Sequence, residues 1–150
     1  MIGYWRPLTI GERWEHDSAV LPDPRELIDH SWNPEDKRRI VEYLRHGRTV
    51  VTYMGYSYCR FSCGVPYNAM GTSEMTDGVW SWPEGLAHYV EVHSVRLPSD
   101  FMSHARSHRF AIPRDLDVSA LGNNYDLTFW ITWGRRQTLG TSGATHLRDT

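Results

Sequence analysis

Apolar positions along the chain change period several times, and each change marks an element. Ile40, Val41 and Leu44 recur at helical spacing while Glu35, Arg38, Arg39, Glu42 and Arg45 take another side, which is the pattern of a half-buried helix. Its ends are marked as well. Asn33 offers an N-cap acceptor, Pro34 fits a first turn that has no use for its N–H, Asp36 stands where a capping-box acid would, and Gly47 follows the end. From Arg48 the texture is β-branched and aromatic, so Thr49 to Met54 predicts a strand ended by Gly55. Tyr56 to Cys63 then alternates, with Tyr56, Tyr58, Arg60 and Ser62 on one face and Ser57, Cys59, Phe61 and Cys63 on an inward one.

Met70 to Thr76 and Val79 to Trp82 predict a hairpin about Asp77-Gly78, since both residues tolerate the positive φ of a primed two-residue turn. That register sets Thr76 opposite Val79, Met75 opposite Trp80, Glu74 opposite Ser81 and Ser73 opposite Trp82, placing both tryptophans on one face with Met75. The period then lengthens. A helix is expected from about Pro83 to His93, with Leu86, Tyr89, Val90 and His93 inward and Glu84, His88 and Glu91 on a polar stripe. Ser99 and Asp100 can cap a short helix to about Ser107, and Arg109 to Ile112 reads as a strand before Pro113. Beyond a Gly122-Asn123-Asn124 turn, Leu127, Phe129, Ile131 and Trp133 alternate with Asp126, Thr128, Trp130 and Thr132, which predicts a last strand.

The start of the chain is less regular. Met1 to Trp5 reads as a short edge strand, Arg6 to Pro22 as loop, and Asp23 to Ile28 as one or two helical turns. Strands clustered between helices define an α+β class: a single domain over residues 1–134, an antiparallel β-meander of about 4–5 strands packed with two to four helices, and a flexible C-terminal tail over 135–150.

Composition narrows the function classes more than it names one. At 150 residues the chain suits one domain with a core of its own. A formal charge of −2 gives no electrostatic case for nucleic acid or anionic membrane, while the eight histidines would carry it to +6 if all were protonated. Charges at Arg6, Glu12, Arg13, Glu15 and Asp17 interrupt any signal-peptide core, and no run reaches the ~20 apolar residues of a membrane helix. The chain reads as cytoplasmic and without a membrane partner. Seven Trp, eight Tyr and four Phe supply large contact surfaces for core and binding site alike.

The leading reading is a small binding or interaction domain whose site, lined by Trp80, Trp82, Glu84, His88 and Glu91, takes a small molecule or a protein segment. An alternative is an enzyme using histidine and acidic groups near Trp80 to His93, with Glu74 and Asp77, or Glu84 and His88, supplying general acid-base groups. A third is a zinc-stabilised interaction domain holding its metal through Cys59, Cys63, His88 and His93. Geometry counts against that set: on a strand the cysteines stand ~13 Å apart, too far for one metal or a disulfide, and His88 and His93 lie about 140° apart around a helix. No metal or other cofactor is therefore expected. Asp100, His104 and His108 share a helical face, but without a glutamate after the first histidine the spacing is not specific. Tyr56, Tyr58 and Arg60 could stack on bases, or equally be covered by a helix. Phosphate-cradling glycine loops and nucleophile-elbow motifs are missing from the sequence.

Overall fold

Asn33 caps the first helix as its sequence demands, its side chain accepting from the N–H groups of Glu35 and Asp36, and α1 runs Pro34–Arg45. The computed structural model describes residues 1–7, 20–121 and 126–142. Strand β1 spans Arg48–Thr52, β2 Ser73–Thr76 and β3 Ser81–Pro83, and these form one antiparallel sheet in the order β1-β2-β3. Helices α2 (Leu86–His93), α3 (Ser99–Ser107) and α4 (Thr128–Ser142) complete a single α+β domain, with α1 lying against α2 and α3. No helix among the described residues is long and apolar enough to cross a membrane.

Among the described residues, the expected meander of four or five strands is corrected to three. Tyr56 to Cys63 is loop and turn rather than strand, and Arg109 to Ile112 is turn and coil, with Arg109 and Phe110 at positive φ. Asp126 to Trp133 is corrected as well, because α4 takes up Thr128 onward. Its buried side follows a helical period: Leu127 is partly buried, Trp130 and Gly134 are buried, and Gln137 is partly buried. The apparent alternation arose because aromatic residues occupy both sides of that stripe. Met1 to Trp5 belongs to no strand, although the Ile2 N–H donates to the Ser81 carbonyl at 2.9 Å and Ile2 and Trp5 are buried. The Gly122-Asn123-Asn124 turn and residues 143–150 of the expected tail lie outside the described residues; the backbone from 135 to 142 is helical.

The hairpin exists, but its register is shifted by two residues. Glu74 pairs with Pro83, Met75 with Trp82 and Thr76 with Ser81, leaving Asp77 to Trp80 as the turn. The reason lies in the Asp77 side chain, whose Oδ1 accepts from the N–H groups of Val79 at 2.8 Å and Trp80 at 2.6 Å. This side-chain turn satisfies backbone donors that a two-residue loop would have put into the ladder. Pro83 therefore closes β3, and α2 begins at Leu86 rather than at Pro83. Glu84 is left before the helix, where its carboxylate accepts from the N–H groups of Thr72 and Ser73.

The core is built around Trp82, which is fully buried, stacked on Tyr43 at 6.0 Å and packed edge-on to Phe101 at 5.7 Å. Its indole N–H donates to the Leu44 carbonyl at 3.1 Å, so the polar end of the ring is satisfied where α1 ends. Gly47 is required there for closeness: a Cβ would lie 2.7 Å from the Trp82 ring and 3.0 Å from the Met75 Cβ. Helix α4 adds Trp130, packed edge-on to Trp5 at 5.2 Å and hydrogen bonded through its indole N–H to the Tyr4 carbonyl at 2.6 Å.

Candidate metal centre

The segment after β1 turns sharply where a second strand was expected. The Ser62 N–H donates to the Cys59 carbonyl at 3.2 Å, and Ser62 takes φ 49°, the left-handed region that few residues other than glycine enter. This reversal brings Cys63 back beside Cys59. The strand estimate of ~13 Å between the cysteines is overturned, since the ligand atoms of Cys59, Cys63, His88 and His93 all lie within 4.8 Å of one another.

Helix α2 supplies the other half. The Cys59 Sγ lies 3.3 Å from His93 Nε2, and the Cys63 Sγ lies 3.4 Å from His88 Nε2. The imidazoles contact each other at 5.1 Å between centroids, at 74°. The two histidines start from well-separated sides of the helix, but both distal nitrogens reach the same knuckle without α2 ending before His93. The separation of about 140° around the helix, expected to count against this set, is therefore no bar to it. Ser94, in the left-handed conformation at φ 55°, ends the helix at once and donates back to Tyr89 and Val90.

Tyr89 fastens the two halves from behind. Its hydroxyl accepts from the Arg60 N–H at 2.9 Å and donates to the Tyr58 carbonyl at 3.3 Å, so α2 holds the backbone of the knuckle it faces. Phe61 stacks on His93 at 3.9 Å and 9°, which limits the swing of that ring. Nothing in the period of the sequence signals these contacts; the repeated Cys and His residue types were the available clue.

The electrostatics suit a cation. Burial lowers the pKa of His88, with Glu91 opposing, and burial followed by the proximity of His88 lowers that of His93. Both imidazoles are thereby biased to the neutral form in which they donate a lone pair. Burial pushes the Cys59 thiol up, a cost that a coordinated cation offsets by stabilising thiolate. A tetrahedral zinc with Zn–S of ~2.3 Å and Zn–N of ~2.0–2.1 Å requires S···N separations of roughly 3.5 Å. The two shortest contacts fit that spacing.

The aromatic residues expected to line a binding site have separate partners. Trp82 is core, whereas Trp80 is partly buried, edge-on to Phe101 at 5.5 Å and Phe129 at 5.1 Å. Glu84 holds the β2 entry, and exposed Glu91 pairs with Arg45 from α1. His88 faces Cys63. The concavity nearest this centre, about 250 Å³, is bordered by Tyr58, Cys63, Val65, Tyr67 and Met70.

The remaining acid-base candidates also separate. Asp77 is buried, accepting from the Tyr43 hydroxyl at 2.7 Å through Oδ2, with His104 Nε2 at 3.2 Å from the same oxygen. Glu74 accepts from the Tyr4 hydroxyl at 2.9 Å. His104 and His108 lie 4.4 Å apart, but Asp100 is exposed and pairs with Ser99. Among the described residues, the Cys59, Cys63, His88 and His93 group is the one whose ligand atoms converge for a metal.

Fold and site together define a small α+β domain carrying a Cys₂His₂ group between a knuckle and a helix. No family model matches the chain, and no curated protein or solved structure matches it.

Proposed function

We propose that this protein is a zinc-stabilised interaction domain. The observation that carries this reading is the convergence of two thiols and two imidazoles within 4.8 Å. Thiolate and imidazole ligands in a tetrahedral arrangement suit zinc, and two thiolates neutralise its charge, which favours a partly buried site. Four protein ligands leave no open position for substrate, so the metal's work is structural. It fastens the segment between β1 and β2 to α2.

That segment is the surface we assign to a partner. Tyr53, Met54, Tyr56 and Tyr67 are exposed, and Tyr56 meets Tyr67 edge-on at 5.2 Å. Tyr58 carries the Arg60 guanidinium 4.1 Å above its ring. Tyrosine and arginine at such a density are the residue types that anchor protein interfaces. His88 is the member shared with the aromatic site expected from the sequence, and it acts here as a ligand to the metal.

Elemental analysis of untagged protein tests the reading. One zinc per chain is expected, with loss of that zinc in both Cys59→Ser and His88→Ala. A metal-free protein that keeps its full thermal stability in a chelator would overturn it.

A further inference from the structure

The two thiols differ in access. Cys59 is buried and Cys63 exposed, and both border the same concavity of about 250 Å³. Their sulfurs lie within 4.8 Å of each other. They are the only cysteines in the chain, so each is the other's sole intramolecular partner. The turn that gathers metal ligands has thus also assembled a dithiol with one accessible member.

We infer that Cys59 and Cys63 are an oxidation site: peroxide enters through the concavity, joins the two sulfurs as a disulfide and expels the zinc. This rests on the zinc reading above. The Cys63 thiolate attacks one peroxide oxygen, the O–O bond breaks, and hydroxide leaves as Cys63 becomes a sulfenic acid. The Cys59 thiolate then attacks the Cys63 sulfur; an S–S bond forms, the S–O bond breaks and a second hydroxide leaves. The sulfur pair loses two electrons, the peroxide gains them, and solvent protons convert both hydroxides to water. With neither thiolate left to neutralise its charge, zinc loses half its ligands and departs.

The consequence is regulation of the surface that the metal holds. Once zinc leaves, His88 and His93 no longer fasten the knuckle, and the Tyr56 and Tyr67 surface loses one of its anchors. A thiol reductant with zinc supplied restores the original state, because a disulfide is reversible where sulfinic acid is not.

The test uses untagged full-length protein whose zinc content has first been measured, treated with hydrogen peroxide in the presence of a zinc-sensitive dye. The expected result is one zinc released for each disulfide formed, an intact mass lower by two hydrogens, and recovery of bound zinc after dithiothreitol and added zinc. Protein that contains no zinc at the outset would overturn both this inference and the reading beneath it. Zinc-loaded protein whose cysteines resist peroxide, or whose Cys63 proceeds to sulfinic acid with zinc retained, would overturn the inference alone. So would zinc release without a Cys59–Cys63 bond in the peptide map.

Discussion

One carboxylate joins three elements. Asp77 accepts two backbone N–H groups through Oδ1, while Oδ2 meets the Tyr43 hydroxyl from α1 and the His104 imidazole from α3. Burial and then the Asp77 hydrogen bond push the Tyr43 phenol well above its ordinary range, which keeps it a donor at every working pH. Tyr43→Phe removes that donor and leaves a buried charge short of one partner. It should destabilise the fold by about 1.5–3 kcal/mol, the range for hydrogen bonds to charged groups, as read from the urea midpoint at unchanged slope. Ser62 supplies a second test at this scale. Its φ of 49° is costly for a β-branched side chain, so Ser62→Val should weaken zinc binding by roughly ten-fold, corresponding to about 1–2 kcal/mol of left-handed strain, while Ser62→Gly retains it. Competition with a metallochromic chelator distinguishes the two.

Among the elements, the knuckle is tied to α2 through Tyr89, His88 and His93, whereas α2 is itself anchored in the core by Leu86, Ala87, Tyr89 and Val90. Removing zinc with a chelator should raise hydrogen exchange across residues 57–67 and the end of α2, and leave α1 as protected as before. Uniform loss of protection through α1 would mean that the metal supports the whole core. The division follows from burial: α1 buries Ile40, Val41, Tyr43 and Leu44, whereas the knuckle buries Cys59 alone between residues 57 and 67.

Legibility from sequence follows the same division. Helix α1 could be read because its cap, its Pro34 start and its apolar stripe agree. The hairpin was legible in place but not in register, since the deciding interaction is a side chain occupying backbone donors. Helix α4 was misread because Leu127, Phe129, Ile131 and Trp133 mimic a period of two, while the fully buried residue is Trp130, from the alternate set with Asp126, Thr128 and Thr132. The candidate metal centre was legible in residue type alone. Its convergence depends on Ser62 entering a conformation that its identity does not announce, and on Tyr89 holding a backbone it meets only in three dimensions.

For the molecule as a whole, two pH windows follow. Burial lowers His88 and His93, so the unfolded chain takes up protons near the ordinary histidine value of ~6.5 before the folded chain does. Their contribution is complete above that value and is lost as pH falls through their lower folded values. Proton competition for zinc has the same sign. Asp23, lowered mainly by its hydrogen bond from Arg25, and Asp29, lowered mainly by that from Ser31, act further down. Their contributions are present above ~3.9 and decline below it. A plot of melting temperature against pH should therefore fall in two steps, and chelation should shrink the upper step while leaving the lower one.

The bond from Trp130 to the Tyr4 carbonyl spans 126 positions of sequence, which gives the core a schedule. At a ribosomal rate of ~5–20 residues per second, the peptide around Tyr4 waits roughly 6–25 s for the indole that will satisfy it. Until then Trp5 can meet Tyr89, 5.0 Å away, but lacks its second ring partner, Trp130, although Trp82 can already have met Tyr43 and Leu44. During synthesis the hairpin can assemble on α1 and α3 first, and the aromatic seam that closes the domain is left for the last helix to seal.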